Sequence, residues 1–198
     1  KLLGLVNDKG EVLVEPKYTQ ISKFNKGYTW VEYNNRYGII NTKGIETIKP
    51  EYEFVSVKNL PYIPVIKDKK HGILMVENGE VIFDLIYGNV TFVDEGKKAF
   101  LFKDDAWILA DPAQQKIIRE FTKDENPTIF ANKYIQISRS IEITSTYSGD
   151  ILDKTAFGLI SFNNQVLLDC KYVSFTEDKA TSSIIAPSWE ENRDEIAW

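Results

Sequence analysis

Hydrophobic residues along this chain come in short runs of four to seven positions, alternating or continuous, and each run is cut by a cluster of Gly, Pro, Asn or Asp. Runs of that length are too short for helices and read as strands. In the first forty residues the pattern places strands at Leu2–Asn7, Glu11–Glu15, Tyr18–Phe24 and Tyr28–Tyr33. Asn7-Asp8-Lys9-Gly10 supplies side chains that satisfy local backbone groups and a glycine for positive φ, so the first two strands should form a tight hairpin. Asn41-Thr42-Lys43-Gly44 repeats that chemistry. Pro16 and Pro50 lack the N–H a ladder needs, which predicts that each closes the second strand of its unit.

The punctuation is periodic. Gly4, Gly38 and Gly72 are equally spaced (38 − 4 = 72 − 38 = 34), and each opens an apolar run. Gly4-Leu-Val-Asn-Asp-Lys-Gly10 with Pro16 and Tyr18 matches Gly38-Ile-Ile-Asn-Thr-Lys-Gly44 with Pro50 and Tyr52. A third copy starts at His71-Gly72 and loses the proline. A worn fourth runs from Trp107-Ile108, and a clear fifth from Phe157-Gly158 through Asn164 to Tyr172. A fixed period of this size marks one supersecondary unit copied several times. The residue before the glycine is Leu3, Tyr37, His71, Trp107 or Phe157, an aromatic-leaning slot.

Slot residue, glycine, two apolar residues, polar turn, apolar run, proline and tyrosine: this unit resembles the WG-repeat family of bacterial proteins. The resemblance covers nearly the whole chain and departs from the pattern at Ile108, which stands where the glycine belongs. It implies an all-β array used for binding, with no common catalytic residue or cofactor. The expected architecture is five degenerate antiparallel β-meander repeats in a single domain spanning 1–198. The copies fall at about 3–36, 37–70, 71–106, 107–156 and 157–186, with a tail at 187–198. The array either closes as a small propeller-like ring or stacks as an open β-solenoid. The apolar run Ser183–Ala186 occupies the slot of the strand that precedes a new copy, a pairing that ring closure could use.

Composition supports this reading. Hydrophobic content of 43%, with ten Tyr, eleven Phe and four Trp, suffices for a core and favours pleated sheet. The net charge of −5 and the scarcity of basic clusters argue against a nucleic-acid partner. They suit a basic protein partner. Cys170 is the one cysteine and is expected to pack as a small apolar residue; no intrachain disulfide can form, which fits a reducing, cytoplasmic setting. No apolar stretch approaches a membrane span, and the first residues lack a signal-peptide pattern.

Two segments break the period. The step from Trp107 to Phe157 is 157 − 107 = 50 residues, about 16 beyond the unit, and the excess is placed within Arg139–Asp153. Its Ile141-Glu-Ile-Thr144 alternation suggests a strand running to a Tyr147-Ser-Gly-Asp150 turn, an extended hairpin. Such insertions emerge on one face of a repeat array, often the binding face, although drift in a tolerant loop gives the same sequence signal. The tail places Ser188 three residues before Glu191, a capping-box pattern, with Trp189, Ile196 and Trp198 available either to cover the end of the array or to contact a partner.

Nothing selects a catalytic centre. His71 is the one histidine and sits in the aromatic slot, so its expected role is structural; no second histidine, cysteine pair or serine motif accompanies it. The carboxylate pairs Asp104-Asp105, Glu190-Glu191 and Asp194-Glu195 lie in turns and the tail, where solvated charge is the ordinary state. Asp150–Asp153 lacks the spacing of a calcium loop, and no phosphate-loop fingerprint occurs. Asn89-Val-Thr91 has the form of a glycosylation acceptor.

The chain is therefore expected to be a non-catalytic, cofactor-free scaffold that binds another protein. A bacterial inhibitor or immunity-type partner of a basic toxin or enzyme is the concrete version. Its candidate contacts are Tyr147 and Asp150 in the insertion, with Trp189, Glu190, Glu191, Asp194 and Glu195 in the tail. The competing expectation is an envelope carbohydrate-binding module. In that case the irregular aromatics Trp30, Tyr62, Tyr147, Trp189 and Trp198 would stack on sugar rings.

Overall fold

A computed structural model of the chain describes residues 1–144, 151–178 and 183–186. Those residues are all-β apart from a single 3₁₀ turn at Asp94–Gly96. The first hairpin pairs β1 (Leu3–Val6) with β2 (Val12–Tyr18). Four four-stranded antiparallel sheets follow. They comprise β3 (Gln20–Ile21), β4 (Tyr28–Tyr33), β5 (Arg36–Asn41) and β6 (Glu46–Tyr52), then β7 (Phe54–Val55), β8 (Tyr62–Lys67), β9 (Lys70–Met75) and β10 (Val81–Tyr87). The third holds β11 (Asn89–Val93), β12 (Lys98–Lys103), β13 (Ala106–Asp111) and β14 (Lys116–Glu120). The fourth holds β15 (Asn126–Phe130), β16 (Tyr134–Thr144), β17 (Ile151–Ile160) and β18 (Val166–Tyr172), and a second two-stranded sheet pairs β19 (Thr176–Asp178) with β20 (Ser183–Ile185).

The meander is confirmed, but the sheet is offset by half a copy from the sequence repeat. Copy one supplies β1 and β2 to one sheet and β3 and β4 to the next, where they are joined by β5 and β6 of copy two. The joint between copies is a two-residue turn with both residues at positive φ: Asn34-Asn35, Asp68-Lys69 and Asp104-Asp105. This geometry matches the twist of the flanking strands, and Asn and Asp tolerate it well. Denoting the four strands of a sheet a to d in chain order, each sequence copy therefore runs c, d, a, b.

The recurrent glycine is explained by the c–d pair. Leu3 is opposite Tyr18 and Leu5 opposite Val14, so Gly4 alone faces Glu15, Pro16 and Lys17. Gly38 faces Lys49-Pro50-Glu51, Gly72 faces Asp84-Leu85-Ile86, and Gly158 faces Asp169-Cys170-Lys171 in the same way. The bulge folds the d strand over the c strand, and a Cβ on Gly38 would lie 2.5 Å from the Ile48 carbonyl oxygen. The prolines belong to this bulge. The second strand does not close at Pro16 or Pro50; β2 and β6 run through them to Tyr18 and Tyr52, because a bulged residue gives up its ladder bond and needs no N–H. The slot residue is then paired with the tyrosine: Leu3 with Tyr18, Tyr37 with Tyr52, His71 with Tyr87, Phe157 with Tyr172. In the worn copy the Trp107 carbonyl accepts from the Phe121 amide at 2.9 Å, so Phe121 takes the tyrosine's place.

The a strand is shorter than the pattern Tyr18–Phe24 suggests. Only Gln20 and Ile21 form β3; beyond them the Ser22 amide donates to the Trp30 carbonyl, and an isolated Asn25–Tyr28 bridge closes the Lys26-Gly27 turn. The c–d turn is held by the side chain three residues past the glycine. Asn7 Oδ1 accepts from Lys9 N and Glu11 N, Asn41 Oδ1 from Lys43 N and Ile45 N, and Ser161 Oγ from Asn163 N and Gln165 N. Asp111 holds this position in the worn copy, accepting from Gln114 N at 3.1 Å.

The chain forms two compact units, Lys1–Asp104 with Ala110–Ile117, and Asp105–Leu109 with Ile118–Trp198. In the first, Ile39, Ile48, Val55, Ile63, Val65, Leu74 and Val76 make one buried cluster, and Tyr18, Val31 and Ile40 make another against Leu5, Val14 and Ile21. Lys98 and Asp111 form a buried ion pair in this unit. Burial alone would raise the Asp111 carboxyl, but the Lys98 ammonium and the Gln114 amide outweigh it and hold it below the usual range. The second unit buries Ile135, Ile137, Ala156, Leu159 and Ile160.

Candidate partner-binding surface

All seven sequence-derived contact residues, Tyr147, Asp150, Trp189, Glu190, Glu191, Asp194 and Glu195, lie outside the described residues, as do the capping box at Ser188 and the aromatics Trp189 and Trp198. The stem that carries Tyr147 and Asp150 is described. In the sheet of β3 to β6 the b–c ladder ends at Tyr33↔Arg36, and in the next sheet at Lys67↔Lys70. The equivalent rung of the β16–β17 pair is Arg139↔Ala156, and pairing goes on for five more rungs, Ser140↔Thr155 to Thr144↔Ile151. The insertion is an extended hairpin grown from a b–c turn, as its Ile-Glu-Ile-Thr alternation suggests. At about 3.4 Å per residue, the extra rungs add a stem of roughly 17 Å.

Neither neighbouring strand accompanies this stem. β15 pairs with β16 only between Phe130↔Tyr134 and Asn126↔Ser138, and β18 leaves β17 at Phe157↔Tyr172. Among the described residues the stem is a two-stranded ribbon with no strand on either edge, an arrangement of marginal stability by itself. Ile151 is 68% exposed and Leu152 is exposed beside it. Glu142 and Asp153, both exposed, stand directly opposite one another. Like charges on one rung repel, so the pair costs a little stability. Sequence reading selected the loop beyond the stem and passed over Glu142, Ile151, Leu152 and Asp153. The signal for them was the strand alternation continuing past the normal turn.

Cys170 sits at the base of the stem in the slot that Pro16 and Pro50 fill elsewhere. Its thiol points to the Ala156 carbonyl at 3.2 Å, and burial pushes its pKa up, so it is half-buried and held as the thiol. His71, in the aromatic slot, is half-buried, and desolvation lowers its pKa. Among the described residues no cluster of three or more His, Cys, Asp or Glu could hold a metal ion, and no helix is long and apolar enough to cross a membrane. Trp30 packs edge-on against Tyr37, ring centroids 5.6 Å apart, at the margin of the buried cluster, and Tyr62 is half-buried.

Comparison with known proteins points to the repeat itself. The family described as WG containing repeat matches residues 4–37 and 37–70. No curated protein shows significant similarity to the chain. Similar solved structures include a eukaryotic initiation factor (11% identity, TM-score 0.46, 87% of this chain and 51% of that one) and the tricorn protease (17%, 0.36, 86% and 16%). Hsv2 of Kluyveromyces lactis is a third (11%, 0.35, 82% and 68%). The chain thus spans about half the length of the first and a much smaller part of the second. Residues 4–70, where bulged glycine, capped turn and tyrosine recur in full, thus match two WG containing repeats.

Proposed function

We propose that this chain is a non-catalytic repeat scaffold that binds another protein through the β16–β17 stem and the loop it carries. The observation that supports this most directly is the stem itself, five rungs of ribbon with open edges, exposed Ile151 and Leu152 and the facing acids Glu142 and Asp153. An open-edged ribbon gains stability when a partner covers it, and the acidic rung with the net charge of −5 favours a basic partner. An inhibitor or immunity-type role toward a basic toxin or enzyme is the specific form of this reading.

The test compares the intact chain with one in which residues 140–155 are replaced by an Asn-Gly turn, the length the other b–c joints use. Both are used as bait in lysate of the native cell. The expected result is a stoichiometric basic protein retained by the intact chain and at least about tenfold weaker on the shortened one, a loss of roughly 1.4 kcal/mol. Unchanged circular dichroism and melting would show that the shortened chain is folded. A partner held equally by both would overturn the assignment of the contact to the stem.

A further inference from the structure

The c–d turn between β9 and β10 is built differently from its counterparts. Three residues past its glycine stands Met75, where Asn7, Asn41, Asp111 and Ser161 hold the other turns with a side-chain oxygen. Met75 carries no such acceptor. The turn is also one residue longer, since Gly72 to Gly79 is 79 − 72 = 7 positions against 10 − 4 = 44 − 38 = 6 in the first two copies. Asn78 takes over the capping from inside the turn. Its Oδ1 accepts from the Glu80 amide at 3.0 Å, the amide one past the turn glycine that Asn7 takes from Glu11 and Asn41 from Ile45.

This replacement sets a carboxamide directly before a glycine. Asn78-Gly79 is the one Asn-Gly step in the sequence; the first two turns have Lys9 and Lys43 before the glycine, and Asn7 and Asn41 are followed by Asp8 and Thr42. Glycine has no side chain to shield its own nitrogen, which leaves the Gly79 nitrogen sterically free to attack the Asn78 Cγ. Asn78 is exposed, so water and base reach it. The folded turn restrains this attack. The Gly79 N–H donates to the Met75 carbonyl at 2.9 Å, the Met75 N–H donates to the Glu80 carbonyl at 2.8 Å, and the Glu80 N–H holds the carboxamide itself. The reaction therefore waits for these bonds to open, and an exposed turn opens at a lower cost than the sheet beneath it.

We propose that Asn78 is a modification site of this chain, converted to aspartate and isoaspartate at a rate set by opening of the β9–β10 turn. The Gly79 nitrogen gives its proton to base and bonds to the Asn78 Cγ; the Cγ–Nδ2 bond breaks and, with a proton returned, ammonia leaves a cyclic imide. Water then opens the imide, its hydroxyl going to the carbonyl carbon and its proton to the Gly79 nitrogen. Breaking the new Cγ–N bond gives aspartate, which keeps an acceptor for the Glu80 amide. Breaking the original main-chain bond gives isoaspartate, which routes the backbone through the former side chain and displaces the acceptor from the turn.

Peptide mass mapping tests this on the intact chain aged in mildly alkaline buffer, with and without denaturing guanidinium, the aspartate and isoaspartate peptides being separated by chromatography. Asn78 should convert ahead of every other asparagine in both samples, and at least about tenfold more slowly in the folded one. The aged folded chain should melt below the fresh one, whereas Asn78→Asp, which keeps the acceptor, should melt close to it. Equal rates with and without guanidinium would overturn the proposal, because the turn would then impose no restraint. Earlier conversion of another asparagine, or no conversion at Asn78 in the folded chain, would overturn it as well.

Discussion

Replacing Gly38 by alanine tests the account of the repeat glycine. A Cβ built there lies 2.5 Å from the Ile48 carbonyl oxygen, 2.6 Å from the Pro50 nitrogen and 2.8 Å from the Lys49 carbonyl carbon. All three are backbone atoms of the bulge, which cannot move aside as a side chain can. Overpacking of a filled site costs about 1–3 kcal/mol, and a clash with three backbone atoms belongs near 3. Against this, alanine narrows the unfolded ensemble and returns up to about 1 kcal/mol. The net destabilisation is then about 2 kcal/mol, a fall in Tm of roughly 4–8 °C for a chain of this size. Urea unfolding followed by tryptophan fluorescence would read it as a lower midpoint at unchanged slope. Gly158→Ala should cost less, because its nearest contacts, the Cys170 Cα and nitrogen and the Leu168 carbonyl oxygen, are each at 3.0 Å. If Gly38→Ala costs under about 0.5 kcal/mol, or no more than Gly158→Ala, close approach of the bulge is not why glycine recurs.

Three further outcomes follow from the same geometry. Burial lowers the His71 pKa in the folded chain, so below about 6.5 the unfolded chain takes up the proton first. Stability present above that pH should decline as pH falls through the folded value, and His71→Phe, which copies Phe157 in the same slot, should flatten that part of a denaturation-versus-pH curve. Lys98→Met leaves the Asp111 carboxylate buried with only the Gln114 and Ala113 amides beside it and should cost about 3 kcal/mol in chemical unfolding. Lys98→Met with Asp111→Asn should recover part of that loss. Asn41→Ala removes the acceptor for two turn amides and should cost about 1 kcal/mol, read as a small downward shift in Tm.

What was legible in the sequence is what backbone conformation demands locally. Positive-φ turns favour Gly, Asn or Asp, so Gly10, Gly44 and the pairs Asn34-Asn35 and Asp104-Asp105 mark the hairpins directly, whereas Asp68-Lys69 carries half of that signal. The alternation at 141–144 likewise announced the lengthened ladder of β16. Pro16 misled because its missing N–H is a defect in a regular ladder and no defect at a bulge, and a bulge is a property of two strands that the sequence of one does not display. The short a strand escaped for a similar reason, since the apolar Phe24 extends the pattern past Ile21, where β3 ends.

The half-copy offset between repeat and sheet was hidden for a deeper reason, and it bears on function. A period fixes the spacing of equivalent residues but not where one structural unit stops. Cutting the sequence at the glycine puts the joint between copies inside the b–c hairpin, so each complete sheet is built from two successive copies, tied by the Asn34-Asn35 type of turn. The stem grows from this same joint, where added length disturbs no d-strand bulge and no c–d cap. A scaffold with this layout can vary what it presents at the b–c turns while the c–d pairs, where glycine, tyrosine and capping residue recur, hold the register. The b–c joint between Ser138 and Phe157 is therefore where added length costs the fold least.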